Sequence, residues 1–489
     1  MREISHPNQL FIDGDWVSPS SDAKIRVINS STEELFMCVA EARMADVDRA
    51  VIAARQAFDY GPWPRMTYPE RAGYLREIGK QIIERAAQLA DIWTSEVGVI
   101  RTTGALVAAG VAGAYEFYAS LADDFPFTER HAPAAGGNFG LLVREPVGVV
   151  AAIVPWNAPL ATIAYKIAPA LLAGCTVIVK ASPEAPGACY AMAEIAQAIG
   201  LPRGVFNILT ADRDVSESLV RHHSVDKVTF TGSSAAGKKI AAICGERIAR
   251  CTLELGGKSA AVVLDDYDVD VVAQSLAGST RLISGQVCSS LTRVIVSRAR
   301  HDRLVDAMSA AFAAIKVGDP FDSATEMGPL ATSRQRDRVE GYIALGNAEG
   351  ATLATGGRRP AHLRRGYFVE PTVFANVQNT MRIAREEIFG PVVSVIPADN
   401  EKLAIDIAND TDYGLNASVF TNDVERAYDI ARQIRAGTVG HNSFRTDFSI
   451  AFGGFKQSGI GREGGREGML PFLESKTVIL DAEPAAMRA

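Results

Sequence analysis

Cysteine is scarce in this chain of 489 residues, and its positions follow no recognisable pattern. The sequence has six cysteines and seven histidines. It contains no C-x-x-C pair, and His222-His223 is its only histidine cluster. Because paired cysteines at fixed spacings are typical of disulfide frameworks and zinc sites, the sequence predicts neither, and it fits the reducing cytoplasm. The six cysteines are Cys38, Cys175, Cys189, Cys244, Cys251 and Cys288.

An excess of positive charge is lacking as well. Fifty Lys and Arg residues against 57 Asp and Glu give a net charge of −7, so no basic surface for nucleic acid is expected. The N-terminus has no apolar run typical of a secretory signal. The longest uncharged run, residues 147–165, contains Pro155 and Pro159, which would break a spanning helix. This run therefore predicts a buried strand, a turn and the start of a helix, and no membrane partner is expected.

The hydrophobic share of 47% and the charged share of 22% are ordinary for a globular protein. The length is about three times the ~150 residues of a usual domain, so several domains are expected.

Short β-branched runs alternate with helical stretches from about residue 147. This alternation predicts βαβ crossovers and a parallel, doubly wound sheet, and it resumes after Gly257, so two α/β units are expected to meet near residues 254–257. The predicted strands are residues 148–154, 176–180, 205–209, 227–230, 260–264, 293–297, 392–397 and 418–420. The predicted helices are residues 160–172, 187–199, 214–222, 269–282, 302–314 and 423–435.

The two ends of the chain predict different structures. The first 120 residues read as mostly helical after a strand pair that turns at Asp13-Gly14. Residues 121–146 and the strand-like residues 475–480 fit neither α/β unit, and together they could form an extended β flap. A disordered connector is the alternative for residues 121–146. Because residues 475–480 have no obvious strand partner in their own chain, we expect a homodimer or homotetramer.

Cys288 lies among small polar residues between a helical stretch and a predicted strand. A thiolate at the end of an element can be solvated and activated, whereas a lone cysteine is more often a small buried hydrophobe. Glu254 ends an apolar strand just before Gly256-Gly257-Lys258. A carboxylate there is costly unless used or paired, so it is either a general base with a raised pKa or a partner of Lys258.

Two further turns follow predicted strands. The glycine turn at Gly232-Ser233 precedes a helix, whose free N–H groups would bind an anion such as a pyrophosphate. A tight packing turn explains the same residues. Asn157, in Pro155-Trp156-Asn157, could donate to an oxyanion, or it could cap the following helix.

Taken together, these segments resemble the aldehyde dehydrogenase superfamily over nearly the whole chain. The resemblance implies an α/β fold with two doubly wound parallel-sheet domains, one Rossmann-like for the cofactor and one catalytic, plus a small β oligomerisation flap. It assigns residues 1–120 and 147–255 to the cofactor-binding domain, 256–450 to the catalytic domain, and 121–146 and 470–489 to the flap. The motifs that carry it are Pro155-Trp156-Asn157, Phe230-Thr231-Gly232-Ser233, Glu254-Leu255-Gly256-Gly257-Lys258, Gly285-Gln286-Val287-Cys288, Glu386-Glu387-Ile388-Phe389-Gly390-Pro391 and Phe452-Gly453-Gly454-Phe455-Lys456-Gln457-Ser458-Gly459.

The resemblance also implies a mechanism. Cys288 attacks the aldehyde carbon, the Asn157 side chain and the Cys288 N–H hold the oxyanion, and Glu254 activates the water that hydrolyses the thioester to an acid. Lys166 lies near the proton-exit route of the family.

For the cofactor, the resemblance implies that Gly232 and Ser233 meet the pyrophosphate and that Lys180 reaches the adenine ribose. Glu387 would hold the nicotinamide ribose, with Phe389 beside the ring. The other expected cofactor contacts are Val154, Pro155, Trp156, Glu184 and Leu255. Relatives often carry Glu three residues after this lysine, whereas this chain has Pro183 there and its acid at Glu184. We expect NAD because an acid near the ribose repels a 2′-phosphate, although Arg213 keeps NADP open.

For the substrate, Ala158 stands where many relatives carry a bulky residue, so a roomy pocket is expected. Its other predicted walls are Ala161, Tyr165, Val287, Ser289 and Phe448. Such a pocket suits a bulky apolar aldehyde, aromatic or terpenoid. The alternatives are a semialdehyde held by Arg445, a CoA-acylating enzyme that Glu254 argues against, and a catalytically silent scaffold.

Overall fold

The computed structural model describes residues 4–487, which form helices packed on two large mixed β sheets, together with a three-stranded and a two-stranded sheet. The helices are α1 (Met44–Asp59), α2 (Tyr68–Glu84), α3 (Ala86–Val97), α4 (Arg101–Asp124), α5 (Pro159–Ala173), α6 (Gly187–Ala198), α7 (Arg213–Arg221), α8 (Ser234–Glu246), α9 (Val269–Thr280), α10 (His301–Ala313), α11 (Ser333–Ala348), α12 (Arg382–Arg385), α13 (Glu401–Asn409) and α14 (Val424–Gln433).

The strands alternate with these helices over most of the chain. They are β1 (Leu10–Ile12), β2 (Asp15–Val17), β3 (Lys24–Ile28), β4 (Leu35–Ala40), β5 (Thr128–His131), β6 (Phe139–Pro146), β7 (Val149–Ile153), β8 (Thr176–Ala181), β9 (Phe206–Thr210), β10 (Lys227–Thr231), β11 (Arg250–Glu254), β12 (Ser259–Val263), β13 (Leu291–Ser297), β14 (Thr352–Thr355), β15 (Thr372–Ala375), β16 (Val392–Ala398), β17 (Asn416–Phe420), β18 (Thr438–His441), β19 (Gly459–Ile460) and β20 (Leu473–Leu480).

The first sheet has the strand order β19-β11-β10-β7-β8-β9-β1-β2. Its five central strands are parallel, and the β-branched runs of β7 and β8 are buried along their whole length, as expected for strands covered on both faces. Helices α2, α4, α5 and α6 contribute to the core on one face, and α1, α7 and α8 to the core on the other. The predicted doubly wound unit is confirmed, with antiparallel strands β1, β2 and β19 added at its edges.

The second sheet has the order β14-β15-β16-β13-β12-β17-β18 and is parallel except for β14. Helices α11, α13 and α14 pack on one face and α9 and α10 on the other. The α/β fold class is therefore confirmed, although both sheets are mixed and not purely parallel. The chain returns to the first sheet at β19, so residues 459–460 lie outside the second unit. The functional division into domains stays a prediction.

The helical expectation for the N-terminal region is incomplete. The hairpin of β1 and β2 at Asp13-Gly14 is confirmed, but a second hairpin, β3–β4, follows it and was not predicted. Its strands are only partly buried, but β4 is an apolar run of six residues, so the sequence did carry a signal for this strand. The run at residues 147–165 is strand β7, a turn and the start of α5, as predicted. Within residues 4–487, only α4 is long and apolar enough to span a membrane, and it packs here against α2, α3 and α5.

The small sheet corrects one prediction. Its order is β20-β6-β5, and β20 pairs antiparallel with β6 of the same chain, from Leu473 opposite Pro146 to Leu480 opposite Phe139. Residues 475–480 therefore do have a partner in their own chain, and that argument for an oligomer was wrong. The pairing of β20 with β6 was missed because the two strands lie more than 300 residues apart and no local turn joins them. Residues 121–124 belong to α4, and most of residues 128–146 form strands and not a disordered connector.

Candidate active site

The Cys288 loop crosses from a short helical turn at Leu282–Gly285 to β13. The predicted helix over residues 269–282 ends earlier, at Thr280, because Ile283 and Ser284 adopt left-handed backbone angles with φ of 46° and 54°. Such angles are unusual outside glycine and mark a backbone held by its surroundings. A Cβ at Gly257 would lie 2.4 Å from the carbonyl oxygen of Cys288. The loop therefore rests directly on the peptide that follows β11.

The Cys288 thiol is not ionised at neutral pH in this structure. Desolvation inside the cleft, followed by the charges of Glu387 and Glu254, raises the pKa of Cys288 to about 12. A thiol in this state is a weak nucleophile and needs a base to remove its proton.

Glu254 ends β11 with a side chain that is only 3% exposed. Neither carboxylate oxygen has a hydrogen-bond partner among the described residues. Burial, and then the charge of Glu463, raise the pKa of Glu254 well above its usual value. No ion pair joins Glu254 to Lys258 within the described residues, and the Lys258 ammonium is itself without a hydrogen bond. The geometry thus favours the general-base interpretation over the salt bridge.

Lys166 and Glu463 form a buried ion pair beside Glu254. The Lys166 Nζ lies 2.5 Å from Glu463 Oε1 and donates to Thr229 Oγ1 at 3.2 Å. The side chains are 0% and 5% exposed. Sequence reasoning missed Glu463, which follows Ile460-Gly461-Arg462 and precedes two glycines with positive φ. An acid in such a glycine-rich segment was the available signal.

Asn157 faces the nucleophile loop and does not cap α5. Its Nδ2 donates to the carbonyl oxygen of Gln286 at 2.9 Å, whereas the residue at the start of α5 is Ala158, without a side-chain cap. The Asn157 carbonyl accepts from Trp93 Nε1 at 2.9 Å. These contacts bring the amide to within two residues of Cys288 along the loop.

The predicted cofactor residues gather at the carboxyl edge of the first sheet. Val154, Pro155 and Trp156 follow β7, and Lys180 lies near the end of β8. Gly232 and Ser233 follow β10, and Leu255 follows β11. Ligands of open α/β sheets bind at this edge, so these residues lie on the side where a cofactor would bind.

This edge fits an anionic nucleotide. Ser233 is the N-cap of α8, and its side chain accepts from Ala236 N at 3.3 Å, which leaves other amides of the first turn free for a phosphate. Lys180 is 9% exposed, and the described residues offer its ammonium no hydrogen bond or ion pair. Desolvation lowers the pKa of Lys180. The charges of Glu184 and Asp212 partly oppose this shift, and an ammonium without a direct hydrogen bond is available to ligand hydroxyls or phosphate.

The carboxylate of Glu184 is already hydrogen-bonded to two side chains of the protein. It accepts from Arg334 Nη2 at 2.6 Å and from Ser182 Oγ at 2.5 Å. The acid is therefore already bound within the protein, and its contact with a ribose stays a prediction.

Glu387 and Phe389 approach the nucleophile loop from the second sheet. Glu387 Oε1 accepts from the Gly257 N–H at 3.2 Å, and burial raises the pKa of Glu387 to about 7. The Phe389 ring meets Trp156 edge to face, with centroids 5.4 Å apart, and Phe389 has a φ of 63°. Glu387 thus contacts the peptide that follows β11, and Phe389 contacts the turn that follows β7.

Two of the predicted pocket residues, Tyr165 and Phe448, contact each other. Tyr165 stacks on Phe448 with centroids 4.2 Å apart, and Phe448 stacks in turn on Phe452, also at 4.2 Å, so Phe452 extends an aromatic wall that was not predicted. Arg445 is exposed, and its Nε donates to the carbonyl of His441 at 3.3 Å. Ala158, Ala161 and Val287 are half-buried, whereas Ser289 is buried.

Comparison with known proteins decides the family. The sequence profile described as the aldehyde dehydrogenase family matches residues 16–478. The chain belongs to the aldehyde dehydrogenase family. It is 44% identical to the geranial dehydrogenase of Castellaniella defragrans over 478 residues, which cover 98% of this chain and 99% of that one.

Solved structures agree. A Mycobacterium tuberculosis aldehyde dehydrogenase complexed with NAD+ superposes with a TM-score of 0.94 at 44% identity, covering 97% of this chain and 98% of that one. A Pseudomonas syringae aldehyde dehydrogenase variant complexed with NAD+ and octanal gives 0.94 at 38% identity, with 99% of each chain covered. The predicted family, α/β fold and enzyme class, an NAD(P)-dependent aldehyde dehydrogenase, are confirmed. The roles of individual site residues stay predictions.

Proposed function

We propose that this aldehyde dehydrogenase oxidises bulky apolar aldehydes to carboxylic acids with NAD. The observation that carries the acid-forming chemistry is the buried, unpartnered carboxyl of Glu254 beside the protonated thiol of Cys288. A base and a nucleophile with raised pKa values, enclosed in one cleft, form the pair that covalent acyl chemistry requires.

In the first step, Glu254 takes the proton of Cys288 as the sulfur bonds to the aldehyde carbon. The product is a thiohemiacetal whose oxygen carries the negative charge. Asn157 Nδ2, which donates to the Gln286 carbonyl in this structure, then donates to the oxyanion instead, and the Cys288 N–H is the second donor. Each such donor contributes about 10²–10³ to the rate in comparable sites.

NAD+, when bound, supplies the hydride acceptor. Gly232, Ser233 and Lys180 would hold its phosphates and adenine ribose, and Glu387 and Phe389 would hold the nicotinamide end. NAD over NADP is supported by the NAD+ complexes of the similar structures and by the acid Glu184 at this edge. A kcat/KM ratio that favours NADP would overturn this choice.

Before the last step, the proton taken from Cys288 leaves Glu254 toward the Lys166–Glu463 pair, which restores the carboxylate. Glu254 then takes a proton from water as the water oxygen attacks the thioester. When the carbon–sulfur bond breaks, the carboxylic acid is released and Glu254 returns this proton to the Cys288 sulfur. A CoA-acylating enzyme would have no use for a buried water-activating base at this position. Acid formation that depends on added CoA would reverse this ranking.

The substrate preference follows from the pocket walls. Small side chains at Ala158 and Ala161 leave room, and Tyr165, Phe448 and Phe452 present an aromatic surface. The similarity to a geranial dehydrogenase supports a terpenoid or comparable aldehyde.

A semialdehyde is the second candidate. A 3-succinoylsemialdehyde-pyridine dehydrogenase from Pseudomonas is 40% identical over 96% of this chain and 98% of its own. Arg445 would then have to release the carbonyl of His441 to bind a substrate group.

We also propose that the enzyme works in the cytoplasm as a homodimer or homotetramer. The small sheet ends in the strands β20 and β5, whose outer edges pair with no other strand among residues 4–487. An open edge is a template for pairing with another chain. A monomeric mass in light scattering would refute the oligomer.

Absorbance at 340 nm tests the function. The purified protein receives NAD or NADP and acetaldehyde, succinic semialdehyde, benzaldehyde, cinnamaldehyde or citral. We expect the fastest reduction with NAD and the bulky apolar aldehydes, and none with Cys288→Ala, which should still bind NAD. Preference for the semialdehyde would assign the substrate to Arg445. No reduction with any aldehyde in either cofactor would favour a catalytically silent scaffold.

A further inference from the structure

The segment from Ala331 to the first turn of α11 contacts the two loops that must meet for hydride transfer. On one side, the Ala331 N–H donates to Gln286 Oε1 at 2.9 Å, and Gln286 lies two residues before Cys288. On the other side, Gln335 Nε2 donates to the carbonyl oxygens of Phe389 at 2.6 Å and Ile388 at 3.2 Å. One short segment thus binds both the nucleophile loop and the loop of Phe389.

Gln335 makes this contact in place of a more local one. Thr332 is the N-cap of α11 and accepts from Gln335 N at 3.1 Å, so Gln335 stands where a capping box would turn its side chain back to the cap. Its amide instead reaches the 388–389 peptides and is 9% exposed. This buried amide therefore stabilises the conformation of a loop that is distant in the sequence.

Phe389 has the backbone conformation that these hydrogen bonds stabilise. Its φ of 63° lies in the left-handed region, which a bulky side chain avoids unless contacts hold it there. In this conformation its ring meets Trp156 at the carboxyl edge of the first sheet. Arg338, one turn further along α11, donates to the Ile388 carbonyl at 3.3 Å.

The two loops also touch each other. A Cβ at Gly285 would lie 2.4 Å from the carbonyl carbon of Gly390, so these peptides pack without space for a side chain. A Cβ at Gly390 would lie 2.4 Å from Val339 of α11. Gly390 is therefore packed between Val339 and the nucleophile loop without a contribution from the Gln335 amide, which bonds the carbonyls of the two preceding residues.

We propose that Gln335 is a positioning residue that fixes Phe389 and thereby the distance between the Cys288 thiol and the nicotinamide end of the cofactor site. This inference rests on the proposed function. If it holds, loss of the Gln335 amide slows hydride transfer but spares chemistry that uses Cys288 and Glu254 alone. Hydrolysis of an activated ester such as p-nitrophenyl acetate is such a reaction, because it proceeds through the acylated thiol without hydride transfer.

The test compares Gln335→Leu, which keeps the volume and removes the donors, with Gln433→Leu on the exposed end of α14, where the amide bonds only within its own helix. In Gln335→Leu we expect kcat for aldehyde oxidation to fall by roughly tenfold to a hundredfold. The KM for NAD should change less, and the isotope effect with an aldehyde deuterated at its carbonyl carbon should rise. Ester hydrolysis should stay at the wild-type rate, and Gln433→Leu should behave as wild type in every assay.

Hydrogen exchange of the protein without cofactor supplies an independent readout. We expect faster amide exchange in the peptide spanning residues 386–392 of Gln335→Leu, with no change around β7 or β8. Unchanged exchange there, or an equal loss of ester hydrolysis and oxidation, would overturn the positioning role. A wild-type protein that reduces no cofactor would instead reject the proposed function, and the exchange experiment would still decide the role of Gln335 in holding Phe389.

Discussion

The buried pair of Lys166 and Glu463 should behave as a strongly coupled unit. Its Nζ and Oε1 atoms are 2.5 Å apart, and neither side chain is more than 5% exposed. Removing one partner leaves an uncompensated charge in the core, which costs about 3–5 kcal/mol, whereas replacing both by apolar residues of similar volume is often nearly neutral. We therefore expect Lys166→Met and Glu463→Leu each to lower the free energy of unfolding by about 3–5 kcal/mol. The double variant should lose far less than the sum.

The same variants should move the pKa of Glu254 in opposite directions. The charge of Glu463 raises this pKa and the charge of Lys166 lowers it. Removing the acid makes ionised Glu254 easier to form, so the acid limb of the ester-hydrolysis profile should shift to lower pH in Glu463→Gln. In Lys166→Met it should shift to higher pH.

Urea unfolding at a fixed protein concentration measures the stability cycle, and initial rates of ester hydrolysis over a pH series measure the acid limb. Single variants that each lose less than about 1 kcal/mol, as surface pairs do, would refute the coupled unit. Shifts of the acid limb in the same direction for Glu463→Gln and Lys166→Met would refute the electrostatic argument.

Three further changes probe other parts of the molecule. Burial raises the pKa of Glu96 to about 8, so the folded protein keeps a proton that the unfolded chain releases, and stability falls as the pH rises from about 4.5 to 8. Glu96→Gln keeps an acceptor for the Gly187 N–H and should be more stable than wild type at pH 8 by an amount on the order of a few kcal/mol, a gain that disappears near pH 4.5 in thermal melts. Gly257→Ala places a Cβ against the Cys288 carbonyl, so oxidation and ester hydrolysis should both fall by roughly a hundredfold; wild-type rates would contradict the packing. Arg445→Ala should leave kcat/KM for citral unchanged, and a large loss would place the guanidinium in the apolar pocket.

The central strands were predictable because their signal is local. Runs such as Val149–Ile153 and Thr176–Ala181 are β-branched and buried along their length, and each is followed by a helix of crossover length. Parallel pairing then brings their carboxyl ends to one edge. Motif residues that directly follow parallel strands, such as Trp156 after β7 and Ser233 after β10, therefore lie on that edge.

The parts that escaped prediction depend on distant contacts. Glu463 is recognisable as a site residue only through its ion pair with Lys166, which lies 297 residues earlier in the chain. From the sequence alone Gln335 is an ordinary capping residue, and only the structure shows that its amide donates to the carbonyl of Phe389. The partner of β20 is β6, more than 300 residues earlier in the chain, and nothing in residues 475–480 distinguishes an intramolecular partner strand from one in another subunit.

The charges of the resting site explain why so many ionisable groups can be buried together. The acids Glu254 and Glu463 lie near two cations, Lys166 and Arg462, so desolvation by burial and not an excess of negative charge is the first cause of the raised Glu254 pKa. Burial favours the uncharged form of Glu254, and it raises the pKa of Cys288 so that the thiol stays neutral at neutral pH. The charges of Lys166 and Arg462 oppose this effect at Glu254, because they favour the ionised carboxylate that must accept the Cys288 proton. The Lys166–Glu463 pair therefore acts on the first bond-forming step as well as on the release of the acid, because the balance of its two charges sets how readily Glu254 ionises.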